Sequence, residues 1–122
     1  MTTFVVVGTI VNFIIGWAWY TYLFPQAQIE FGGKPSGRQL FTYAVALVIF
    51  TVALGTFLQN RHVLGISDAL RVGFKVWVGF VLPIALSWWA TTRKSLWVLV
   101  ADAGQWLVVA CVLSLLAVWM LL

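Results

Sequence analysis

Charge is what this sequence has least of. Only 8% of its 122 residues are Asp, Glu, Lys or Arg, where an ordinary soluble domain carries about a quarter. Three are acidic: Glu30, Asp68 and Asp102. A chain so poor in charge cannot present the usual water-facing surface. Histidine and cysteine are almost absent as well. His62 belongs to a link, and Cys111 lies deep in the last apolar run, so an internal disulfide is excluded and no ligand set for a metal can be assembled. There is no serine, histidine and acid constellation and no phosphate-cradling glycine loop, so neither cofactor nor enzyme chemistry is indicated. The formal net charge of +4 rests on Lys34, Arg38, Arg61, Arg71, Lys75, Arg93 and Lys94. They are scattered between apolar runs and form no basic stripe, which excludes nucleic acid as a partner.

What the chain has is apolar length. It is 63% hydrophobic, and four runs reach the roughly 20 residues that a helix needs to cross about 30 Å of hydrocarbon. They cover residues 3–24, 39–59, 68–89 and 95–122. No water-facing stripe breaks them: from Phe41 to Phe57 the hydrogen-bonding side chains are Thr42, Tyr43, Thr51 and Thr56, and a threonine can satisfy its hydroxyl on the preceding helical turn. The expected fold is an all-α integral membrane protein, one domain over 1–122, with four transmembrane helices forming two antiparallel hairpins in a compact bundle. The lipid bilayer is its solvent. Met1-Thr2-Thr3 brings no basic region and no small-residue cleavage site follows, so the first helix is expected to stay as an anchor.

The links carry turn chemistry. Pro25 ends the first helix, Gly32-Gly33-Lys34-Pro35-Ser36-Gly37 forbids regular helix before the second, and Ser67 or Asp68 can cap the third. Aligning the two expected hairpins matches little beyond Val7-Gly8 with Val72-Gly73, so no internal repeat is read. Lys34, Arg38, Arg93 and Lys94 outnumber Arg61 and Arg71, which places the first and third links in the cytoplasm and both termini outside, in a bacterial inner membrane. Trp17, Trp19 and Tyr20, then Trp88, Trp89 and Trp97, sit where spans meet links and read as interfacial anchors. Trp77 and Trp106 lie nearer mid-span.

Polar residues inside spans are the clue to function. Lys75 and Asp102 each lie about two turns into a helix, but the helices run in opposite directions, so their depths differ by on the order of 10 Å. Lys75 either snorkels toward headgroups beside Arg71 or joins an intramembrane polar site with Asn12, Asp102 and Gln105. Asp102 and Gln105, on one face, are either interhelical glue or a proton or solute relay. Gly8, Asn12, Gly16 and Tyr20 recur every four residues as a seam that admits another helix. Ala103, Trp106, Ala110, Ser114 and Ala117 form a second seam, with Ala69 and Gly73 on the third helix.

Three stretches together resemble the membrane-protein family catalogued as domain of unknown function 1761: Gly16-Trp17-Ala18-Trp19-Tyr20 with Leu23-Phe24; Gly73-Phe74 with Trp77-Val78-Gly79-Phe80-Val81; and Leu99-Val100-Ala101-Asp102-Ala103-Gly104-Gln105-Trp106-Leu107. In the third, the family pattern has an amide, a tyrosine and a histidine where this chain has Asp102, Gln105 and Trp106. The resemblance implies a four-helix membrane fold of bacterial and fungal occurrence and no activity. The function expected is that of a non-enzymatic protein that associates with its own copies through the small-residue seams. The alternatives are an accessory subunit of a larger membrane complex, or a small ion or solute transporter using Asp102, Gln105 and Lys75.

Overall fold

The computed structural model describes residues 1–30, 37–92 and 94–121, with side chains of 28–30 left aside. Helix α1 covers Thr2–Ala18 and continues into a π-helical turn, Trp19–Leu23. Short α2 follows at Pro25–Glu30, then α3 at Gly37–Asn60. Helix α4 runs Ile66–Val76, a second π turn covers Trp77–Val81, and α5 continues over Leu82–Thr92. Helix α6 is Leu96–Met120. Four helical stretches are long and apolar enough to cross a membrane: Thr2–Leu23, Gly37–Asn60, Ile66–Thr92 and Leu96–Met120. All four expected runs are present, with ends shifted by up to a few residues. Most of the glycine-rich first link, with Lys34, and also Arg93, lie outside the described residues.

Both π turns come from one device. Proline has no N–H, and its ring collides with the carbonyl four residues back, so an α-helix cannot run through it undisturbed. Here Phe24 N–H, just before Pro25, bonds the Trp19 carbonyl five residues back at 2.9 Å. Leu82 N–H, just before Pro83, likewise bonds Trp77 O. The ladder widens by one residue and absorbs the proline. In the first span Phe24 then leaves helical geometry, with φ −131° and ψ 56°, and the span ends. In the third, Leu82 stays helical and the span goes on as α5. The start of α4 differs from expectation: the residue before it is Gly65, no side chain caps the helix, and Asp68 instead accepts a bond from Leu64 N–H at 3.2 Å.

Helix α6 is the centre of the arrangement. It buries 39% of its apolar window against 22% for each other span, because α1, α3, α4 and α5 all pack on it. Its companions α1 and α3 also pack on each other, whereas α5 packs against little besides α6. The directions follow from contacts. Gly8 faces Leu113 and Thr51, while Gly16, two turns on, faces Gln105 and Tyr43, so α1 runs opposite to both α3 and α6. The main core joins Phe4, Leu47, Leu54, Leu58, Ala69, Val72, Val109, Leu113 and Ala117.

Candidate functional site

The small-residue seams are spent inside the chain. A Cβ on Gly8 would meet Leu113 Cδ2 at 2.7 Å. One on Gly16 would strike the Tyr43 hydroxyl and lie 3.2 Å from Gln105 Nε2, and one on Gly73 would strike Ser114 Oγ and lie 3.2 Å from the Ala110 carbonyl. Ala69, Ala110 and Ser114 are fully buried. Glycine is needed at these three positions so that α1 and α4 can lie this close to their neighbours. These residues pack the chain's own helices against one another.

Where α1, α3 and α6 meet at Gly16, a polar cluster forms. Gln105, 1% exposed, donates from Nε2 to the Tyr43 hydroxyl. Asp102, one turn earlier on α6, lies within electrostatic reach of both the Tyr20 and Tyr43 hydroxyls. Aromatic packing holds the tyrosine: Tyr43 meets the Phe13 ring at 5.7 Å and Trp106 edge-on at 6.1 Å. Asn12, one turn from Gly16 on the same stripe, is fully buried; its Nδ2 donates to Gly8 O at 2.9 Å and its Oδ1 has no partner among the described residues. Thr51 is buried too and returns its hydroxyl to Leu47 O at 2.6 Å. Beyond Thr51 the interior closes. Phe4 is fully buried, its ring lies where a Cβ on Gly55 would come within 2.7 Å, and Leu54 and Leu58 fill the same end.

Two tryptophans grip α6 on either side of Asp102. Trp19 Nε1–H donates to the Ala101 carbonyl at 3.0 Å and Trp77 Nε1–H to the Ala103 carbonyl at 2.8 Å. Two residues along an α-helix differ by about 200° in direction, so the indoles approach from opposite sides. Each carbonyl has a second lone pair for such a bond. Trp19 stacks on Phe24 at 5.0 Å and covers Gly104, where a Cβ would come within 3.3 Å of its ring. Both grips start from the first residue of a π turn, and both obey the spacing Trp-x5-Pro: Trp19 with Pro25 and Trp77 with Pro83. That spacing is the sequence signal for this pair of residues, and a search for repeats of whole hairpins passes over it.

Several expectations change. Trp19 is half-buried and hydrogen-bonded to α6, so it is not a surface anchor. The Tyr20 ring packs with Phe24 on Ala27, Val98 and Ala101, and Tyr20 forms one edge of the cluster. Trp17, Trp88 and Trp97 are exposed, and half-buried Trp89 donates to Ser95 O at 2.9 Å. Lys75 does not join the polar site: it is exposed, on the side of α4 away from buried Ala69, Val72 and Gly73. The cluster of Tyr20, Tyr43, Asp102 and Gln105 thus contains oxygen and amide groups, and no cation joins it among the described residues. Such a set can hold a proton on Asp102 or tie three helices together. No group of three potential metal ligands occurs among the described residues.

The sequence pattern of the family described as Protein of unknown function (DUF1761) matches residues 3–118, nearly the whole chain. No curated protein matches the chain. No solved structure matches it either.

Proposed function

The chain belongs to the DUF1761 family, whose function is unknown, and on that premise we propose that it is a non-enzymatic, multi-pass protein of the bacterial inner membrane that works as an assembly of its own copies. Its four spans insert as two antiparallel hairpins, with both termini outside the cytoplasm. The observation that supports self-association is the bareness of α5. Along this half-span Pro83, Ile84, Leu86, Ser87, Trp88 and Ala90 are exposed, and only Ala85 is buried. Gly79, Pro83 and Ser87 offer small groups at four-residue spacing, and a Cβ on Gly79 would meet nothing within 4 Å. In lipid, where apolar surface gives no drive of its own, small residues let a neighbouring helix approach closely. The inward seams are occupied, so a second copy docks here. Mass analysis of the native protein in mild detergent tests the reading. A particle of two or more chains is expected. A folded, strictly monomeric particle refutes it, and stoichiometric co-migration with a larger, different protein favours the accessory-subunit alternative.

A second reading, passage of protons or a small solute, draws on half-buried Asp102 and on buried Gln105, Asn12 and Thr51. Against it stands the apolar plug of Phe4, Leu54 and Leu58, which closes one end. Proton flux above that of empty liposomes would revive it.

A further inference from the structure

The face of α4 that points away from the bundle carries two cations that no described residue neutralises. Arg71 and Lys75 are both exposed and stand four residues apart, which puts their side chains on one side of the helix, one above the other. Neither makes an ion pair or hydrogen bond among the described residues. The nearest acid along the helix, Asp68, is engaged with Leu64 N–H at the link, and Asp102 is inside the polar cluster on another helix. Counting from Ile66 at about 1.5 Å per residue, Arg71 lies roughly 7 Å and Lys75 roughly 13 Å into the span. Between and beyond them Phe74 and Val78 are exposed. On a water-soluble helix this would be an ordinary solvated face. On a helix within a membrane-crossing stretch, a cation at that depth must reach up its own stem to an anion.

We infer that Arg71 and Lys75 form a binding site for the headgroup of an anionic phospholipid, whose acyl chains lie along Phe74 and Val78. Two cations matched to one net negative headgroup distinguish it from a zwitterionic lipid, whose own ammonium group cancels the phosphate. Snorkelling brings both positive charges up to the headgroup layer, where basic side chains attract anionic lipids. The inference rests on the membrane reading above but not on self-association, since the cations lie on α4 and the proposed docking surface on α5.

The test uses the full chain in mild detergent, with phosphatidylglycerol and phosphatidylcholine as probes and native mass spectrometry counting retained lipid. The parent should prefer phosphatidylglycerol. The double variant Arg71→Gln, Lys75→Gln should bind it about 30-fold less tightly, which is about 2 kcal/mol at about 1 kcal/mol per basic residue. The charge-keeping double variant Arg71→Lys, Lys75→Arg should retain it. Arg38→Gln, at another exposed cation, should leave binding unchanged. Equal retention of both lipids by the parent, an unaffected Gln variant, or an equal loss from Arg38→Gln would each overturn the site. So would displacement by inorganic phosphate as effective as by the lipid. Membrane insertion is checked separately: a chain released from membranes by alkaline carbonate would refute the membrane reading, whatever the lipid result.

Discussion

Gly73→Ala is the sharpest perturbation of the fold, because α4 and α6 make the most extensive helix contact in the chain. The added methyl would strike Ser114 Oγ closer than real Cβ atoms approach anything, and would press on the Ala110 carbonyl at 3.2 Å. The carbonyl is helix backbone and cannot swing away. The Ser114 hydroxyl is held as well, since it donates to Ala110 O at 2.8 Å. The two helices must therefore part slightly, at a cost of about 1–3 kcal/mol, the usual range for forcing a methyl into a packed core. Ser114→Ala removes the worst contact and leaves Ser114 Cβ at an ordinary 3.5 Å. The double variant Gly73→Ala, Ser114→Ala should thus be more stable than the sum of the singles implies, with a coupling of about 1 kcal/mol. Unfolding of each variant in mild detergent by added dodecyl sulfate, followed by circular dichroism, measures all four corners of the cycle. A Gly73→Ala protein as stable as the parent, or strictly additive effects, would refute the close approach of α4 to α6.

Trp19→Phe and Trp77→Phe each remove one indole bond to α6 and should each destabilise the fold by about 0.5–1.7 kcal/mol, the span measured for interhelical hydrogen bonds; the same unfolding assay reads this, and no change in either variant would contradict the grip. Asp102→Asn keeps the hydrogen-bonding shape and should leave stability nearly unchanged, whereas Asp102→Leu should cost roughly 0.5–2 kcal/mol. Equal stability of the Leu variant would mean that Asp102 ties nothing together. Pro83→Ala restores an N–H opposite the Gly79 carbonyl and should let the second π turn relax to α-helix, moving Trp77 off Ala103. Fluorescence of Trp77, in a background with the other tryptophans changed to phenylalanine, should shift, and an unmoved spectrum would show that the proline does not set the π turn.

The four long helices were legible because bilayer length and hydropathy leave few alternatives for runs such as Phe41 to Phe57. The stripe Gly8, Asn12, Gly16 was legible for the same kind of reason: four-residue spacing fixes a face whatever it packs against, and all three are buried. Which helix would fill that face was not legible, so seams that serve the chain's own packing also suited contacts between copies. Trp19 looked like an anchor because tryptophans near span ends usually are. Trp19 is still on the α-helical ladder, its N–H on Ile15 O and its position three residues on from buried Gly16, but its partner Ala101 is 82 residues away, beyond what local spacing can show. Lys75 could not be assigned a side without knowing that Ala69, Val72 and Gly73 face α6. The pairing of Gln105 with Tyr43 joins residues 62 apart, beyond the reach of local spacing.

The central claim, that copies meet on the bare face of α5, is tested most directly by cross-linking in native membranes. A Ser87→Cys chain, with Cys111 replaced by alanine, should form a disulfide-linked species of twice the 13.6 kDa chain mass on mild oxidation. A cysteine at exposed Ile14 on α1 should form none. No adduct from Ser87→Cys, or equal adduct from both positions, would contradict the account.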